Sequence, residues 1–165
     1  MALIVEDGTG KADAASFVSR AEYIAYAAAR GVTIADADAS DVDLVKAMDF
    51  ILTKCFRGNP TVATQALPFP RNVENYYGAL EFPNDAVPLP IKRAQLDAAL
   101  AIHSGVDLTP NVSASSSSVK REKVGPIETE YETAMAYDAP TLPAISAALR
   151  PYECGHGARI RTLRV

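Results

Sequence analysis

The sequence predicts a mainly α fold: a small bundle of about four helices with an extended β arm or hairpin and an extended C-terminal tail. Three observations carry that expectation. Four stretches set apolar residues at helical spacing behind start signals, at Ser19, Ser40, Pro88 and Thr141. One stretch, 119–131, reads Val-Lys-Arg-Glu-Lys-Val-Gly-Pro-Ile-Glu-Thr-Glu-Tyr, and past its centre Ile127, Thr129 and Tyr131 alternate with Glu128, Glu130 and Glu132, the period of a half-buried strand. A polar segment with the run Ser115 to Ser118 separates the first three helical stretches from that arm.

The first helix starts at Ser19, where Ser19-Arg-Ala-Glu22 has the capping-box form, and runs to about Arg30 before Gly31, with Tyr23, Ile24, Tyr26 and Ala27 as its buried face. Ahead of it, Ala2–Val5 reads as an edge strand at most, followed by an Asp-Gly-Thr-Gly turn that lacks the ligands of a calcium or phosphate loop. The second helix is expected from a Ser40 cap to about Phe56, with one stripe of Leu44, Val45, Met48, Ile51, Leu52 and Cys55. Proline density then forbids a long helix over 57–90 and favours an ordered loop, anchored by Leu67, Phe69 and Tyr76. Arg57 and Arg71 within it are read as partners of carboxylates or carbonyls rather than of phosphate.

The third helix begins around Pro88 to Ile91 and ends near His103, a position that suits a capping or surface histidine. A short fourth helix from Thr141 to about Arg150 offers Leu142, Ile145 and Leu149. The organisation is therefore a helical core over 1–108, a flexible linker at 109–118, an extended arm at 119–137, a short helix within 138–155 and a basic tail at 156–165. No second strand of similar length lies near the arm, so its pairing partner is expected outside its own chain, with Gly125-Pro126 as the bend.

A chain of 165 residues suits one domain with appendages, and 48% hydrophobic with 22% charged residues fits a soluble globular protein. A net charge of −4 argues against a generic nucleic-acid binder while leaving room for a local basic patch. The N-terminus has no basic leader and no stretch is apolar enough to span a membrane, so a cytoplasmic protein with no membrane partner is expected. Cys55 and Cys154 lie far apart and Cys55 falls on an apolar stripe, so no structural disulfide is expected. No P-loop, dinucleotide-binding glycine motif, nucleophile elbow or HExxH is present, and Cys154-Gly-His156 supplies too few ligands for zinc. The reading is of a protein that is not an enzyme, with no catalytic residues, metal or cofactor.

The ordered set Leu3-Ile-Val-Glu-Asp-Gly-Thr-Gly10, Ser16-Phe-Val-Ser-Arg-Ala-Glu22, Phe56-Arg-Gly58, Gln65-Ala-Leu-Pro-Phe-Pro-Arg71 and Val119 to Tyr131 resembles a family of tailed-bacteriophage and prophage proteins over nearly the whole chain. Members are often labelled DnaT-like single-stranded-DNA-binding proteins, and their layout also looks like the head-tail adaptor (connector) proteins of long-tailed phages. The arm pattern Lys-x-Glu-x-x-Gly-x-x-x-x-x-Tyr of those adaptors is matched by Lys120, Glu122, Gly125 and Tyr131. The adaptor resemblance implies a virion protein at the head-tail interface, made in the host cytoplasm. It would form a homo-oligomeric ring, usually a dodecamer, between the portal protein and the next tail-side connector or tail terminator, with DNA passing through the lumen without sequence specificity. The loose segment Ser113 to Ser118 and the arginine-rich C-terminus depart from that pattern.

The expected subunit or portal interface is Val119, Lys120, Arg121, Glu122, Lys123, Val124, Gly125, Ile127, Thr129 and Tyr131 of the arm with Arg159, Ile160, Arg161, Leu163 and Arg164 of the tail. An unpaired strand, a flexible hinge and a docking tail are what an interlocking ring subunit needs. The alternative, single-stranded-DNA binding, needs basic and aromatic residues in one groove, with Lys120, Arg121, Lys123 and the terminal arginines as candidates.

Overall fold

The computed structural model describes residues 3–109, 121–124, 127–130 and 142–154. In chain order the elements are α1 (Arg20–Ala28), α2 (Asp38–Leu52), β1 (Asn59–Pro60), β2 (Arg71–Asn72), α3 (Leu89–His103), β3 (Arg121–Val124), β4 (Ile127–Glu130) and α4 (Pro143–Leu149). The helices pack together around α3, which meets α2 on one side and α4 on another, while α1 touches both α2 and α3. Mainly helical architecture with a small antiparallel hairpin is what the sequence predicts.

Each helix starts where local chemistry lets it. Ser19 accepts from the Glu22 amide and Glu22 returns the bond to the Ser19 amide, a complete capping box. Gly31, with φ of 74°, follows α1 in the left-handed conformation that lets the chain turn away. The start of α2 differs from the sequence expectation. The helix begins at Asp38, and Ser40 sits inside the first turn, where its single hydroxyl proton has the carbonyls of Ala35 and Ala37 within hydrogen-bond reach. Asp38 and Asp41 in that first turn meet the positive end of the dipole. The far end also differs: α2 stops at Leu52, so Cys55 lies beyond it.

Burial sharpens the α2 stripe. Leu44, Met48 and Ile51 are fully enclosed together with Ala47, whereas Val45 and Leu52 stay exposed. Enclosing each large member contributes about 1.5–3 kcal/mol. From α3, Ile91, Ala94, Ala98 and Ala99 face this row, and Ile145 and Leu149 of α4 belong to the same core. Beside it lies an aromatic group: Phe69 meets Phe17, Phe56 and Tyr152 edge to face at 6.3, 5.2 and 5.8 Å.

The proline-rich loop is held by its own polar groups. Arg71 donates to the carbonyls of Phe56, Arg57, Gly58 and Pro68, which ties β2 to the exit of α2, and Arg57 pairs with Glu81. Leu67 and Phe69 anchor the loop as expected; Tyr76 does not, being 97% exposed. Near the N-terminus, Val5 bridges to Ser16 in parallel, and the buried Glu6 carboxylate accepts from the amides of Gly8, Gly10 and Lys11 at 2.8, 2.9 and 2.7 Å. The turn expected there is thus organised by Glu6. Gly8, at φ of 105°, packs so closely on the Asp85 carbonyl that a side chain would collide with it.

Two further expectations are overturned. Cys55 and Cys154 form a disulfide, with Cα atoms 5.3 Å apart, joining the exit of α2 to the exit of α4. Sequence separation of 99 hid the pair, because only the packing of α4 on α3 brings the two ends together. The second concerns the arm: β3 pairs antiparallel with β4 of the same chain, Arg121 opposite Glu130 and Val124 opposite Ile127. Its partner is therefore internal. The expected bend at Gly125-Pro126, the linker expected at 109–118 apart from Thr109, and the tail at 156–165 lie outside the described residues. Among the described residues no helix is long and apolar enough to cross a membrane.

Candidate functional site

Over 3–109 acids outnumber lysines and arginines, and several of those cations are already engaged. Arg20 reaches from α1 to the start of α2, bonding Asp41 through Nε at 2.8 Å and through Nη2, with Asp36 and Asp38 at 3.2 and 3.1 Å. The Arg20 hydrogen bonds hold the Asp41 carboxyl below the usual carboxylate range. Arg57 is tied to Glu81, Arg71 to four carbonyls, and Lys11 to Asp7 at 2.9 Å. His103 lies 3.3 Å from Asp43, a surface pairing between α3 and α2. Among the described residues no group of His, Cys, Asp and Glu gathers as a metal site.

Two features outside the core are candidates for contact. The first is the loop between Glu74 and Leu80, closed by an antiparallel bridge between those residues. Asn75 shapes it: its amide donates to the Ala79 carbonyl at 2.8 Å, and its side-chain oxygen accepts from the amides of Tyr77 and Ala79. At the tip stand Tyr76 and Tyr77, 97% and 89% exposed, their rings edge to face at 5.5 Å. Large aromatic rings are rarely left so bare in a packed domain, which marks the tip as a contact surface. The sequence signal was present: Asn and Gly flanking two tyrosines form a turn that puts the rings outside.

The second feature is the β3–β4 ribbon. Of the sequence-predicted interface, the ribbon brings together Arg121, Glu122, Lys123 and Val124 on β3 with Ile127 and Thr129 on β4. Residues opposite one another in an antiparallel pair share a face. The register sets Arg121 across from Glu130 and Lys123 across from Glu128, so each cation of that file meets an acid position. The other file holds Glu122 opposite Thr129 and Val124 opposite Ile127. Among the described residues the two strands contact each other and no other element. Val119, Lys120, Gly125, Tyr131, Arg159, Ile160, Arg161, Leu163 and Arg164 lie outside the described residues.

A family model described as "Putative DnaT-like ssDNA binding protein" matches residues 1–165. No curated protein and no solved structure matches the chain.

Proposed function

The chain belongs to the family described as putative DnaT-like ssDNA binding proteins, and from that premise we propose that it is a non-enzymatic protein that contacts single-stranded DNA by stacking bases on Tyr76 and Tyr77. The observation that carries this reading is the near-complete exposure of both rings on a loop whose turn is built to hold them out. Aromatic stacking contributes about 1–3 kcal/mol per base and tolerates any sequence. The electrostatic share is small. Arg57, near the loop, is held by Glu81, and the ribbon cations sit in register with acids. Salt dependence is correspondingly shallow, since each phosphate contact on a single strand contributes a slope of only about −0.7.

Anisotropy titration of a fluorescent oligothymidine tests this. Replacing both tyrosines, Tyr76→Ala with Tyr77→Ala, weakens binding about tenfold or more if two bases stack there. Unchanged affinity removes the stacking site.

A second reading, the head-tail adaptor, is favoured by a different observation: an acidic bundle and a charge-matched ribbon suit a subunit that meets proteins and lets DNA slide. Its original physical support, an unpaired strand seeking a neighbour, is weakened by the internal pairing of β3 with β4. Under this reading the partners are copies of the chain in a ring, the portal and the next tail-side protein. Negative-stain imaging with purified portal separates the two readings: a ring docked on portal supports the adaptor, and a monomer that ignores portal contradicts it.

A further inference from the structure

Cys55 and Cys154 meet across a short antiparallel contact. Phe56 bridges to Glu153, the Cys154 amide donates to the Cys55 carbonyl at 2.8 Å, and the Arg57 amide donates to the Tyr152 carbonyl at 2.9 Å. That register sets the two cysteines opposite each other. Cys55 is exposed and Cys154 half-buried, so the bond lies at the surface rather than in the core. Exposed disulfides are the ones that small thiols reach and reduce most readily. What this one fastens is a short end of the chain. α4 has seven residues, too few to stay helical without tertiary packing. It packs on α3 through the buried Ile145 and Leu149, and Tyr152 follows with its ring 5.8 Å from Phe69 and 5.3 Å from Phe82. The three longer helices also meet one another directly, independently of α4.

We infer that the Cys55–Cys154 bond is a thiol-operated clasp. Oxidised, it fastens α4 and Tyr152 to the exit of α2; reduced, it lets that end leave the bundle while α1, α2 and α3 stay folded. The exchange balances with glutathione as the reductant. One glutathione thiolate attacks the exposed Cys55 sulfur, forming a mixed disulfide and expelling the Cys154 thiolate, which takes a proton. A second glutathione thiolate attacks the glutathione sulfur of that mixed disulfide. The Cys55 thiolate leaves and is protonated, glutathione disulfide is formed, and two electrons have passed to the protein. Glutathione disulfide closes the clasp by the reverse steps. The chain has two cysteines, so no third thiol diverts the pair into another bond. Docking and oxidation support each other, because the two sulfurs lie side by side while α4 is seated and lose their high effective concentration when it leaves. This inference does not depend on the function proposed above.

The test equilibrates the full-length protein in native buffer over a series of glutathione to glutathione disulfide ratios. Free thiols are blocked with a maleimide and counted by mass, and amide exchange is read in the same samples. The expected result is a reversible transition between no free thiol and two, without denaturant. In the reduced chain α4 amides should exchange about tenfold or more faster, while α1, α2 and α3 keep their protection. Tyr152→Ala, which loosens the docking without touching either cysteine, should move the transition towards more oxidising buffer by lowering the effective concentration of the two thiols. A bond that stays closed until urea unfolds the chain overturns the inference. So do thiols that stay free in the most oxidising buffer, equal protection of α4 in both states, loss of protection from all the helices together, or a Tyr152→Ala transition at the wild-type ratio.

Discussion

Gln95 sits in the middle of α3 with no exposed surface, and its amide joins three parts of the chain. Its oxygen accepts from the Phe17 amide at 2.9 Å, and its nitrogen donates to the Ser16 hydroxyl and the Leu44 carbonyl at 2.8 and 3.1 Å. Removing one partner of a buried hydrogen bond costs about 1–3 kcal/mol for the group left unpaired. Gln95→Leu should therefore lower the unfolding free energy in urea by on the order of 3 kcal/mol. The Arg20–Asp41 pair gives a prediction with a defined sign. Arg20 lowers the Asp41 pKa in the folded state, so its contribution is present above the unfolded value of about 3.9 and is lost as pH falls through the folded one. Urea midpoints measured from pH 6 downwards should drop in acid, and Asp41→Asn should be less stable at pH 6 with a flatter acid limb. Ser19 and Glu22 could be read as a cap because both partners lie within one turn. Gln95 could not, since its partner Phe17 is 78 residues away.

Helix existence was legible in apolar spacing, and helix ends less so. α2 begins at Asp38 without a side-chain cap at Ala37, so the usual signal at Ser40 pointed to the wrong position. Its end at Leu52 explains how Cys55 escapes the buried stripe and meets Cys154. Closing a loop of about 100 residues restricts the unfolded chain, with a contribution of up to about 4.7 kcal/mol. Cys55→Ser with Cys154→Ser should lower the melting temperature, and amide exchange should speed first in α4, a seven-residue helix that depends on packing against α3. Unchanged melting would mean the bond adds nothing beyond the packing of Ile145 and Leu149. On the ribbon, strand character is visible in the alternation and a hairpin is one of the two forms it allows, but the expectation of a partner outside the chain fails because β3 and β4, within one short stretch, pair with each other. If its cations meet DNA, Glu128→Gln with Glu130→Gln should tighten oligonucleotide binding and Arg121→Gln with Lys123→Gln should weaken it. Equal affinity for both variants would place DNA elsewhere.

For the molecule as a whole, the helical core is explained by burial, while the candidate contact surface is what burial leaves over. Sequence patterns record what must be inside, so Tyr76 was read as an anchor although the turn made by Asn75 holds it in solvent. Under the function proposed above, the aromatic tip of Tyr76 and Tyr77 would be the stacking surface, beside a bundle whose acids outnumber its lysines and arginines. Binding that rests on stacking differs measurably from binding that rests on phosphate neutralisation. The most direct test is an oligothymidine titration at several salt concentrations, comparing the wild-type chain with the Tyr76→Ala, Tyr77→Ala variant. The account predicts a shallow salt slope and a loss of about tenfold or more in the variant. No detectable binding by the wild-type chain, or binding that is steeply salt-dependent and indifferent to both tyrosines, would contradict it.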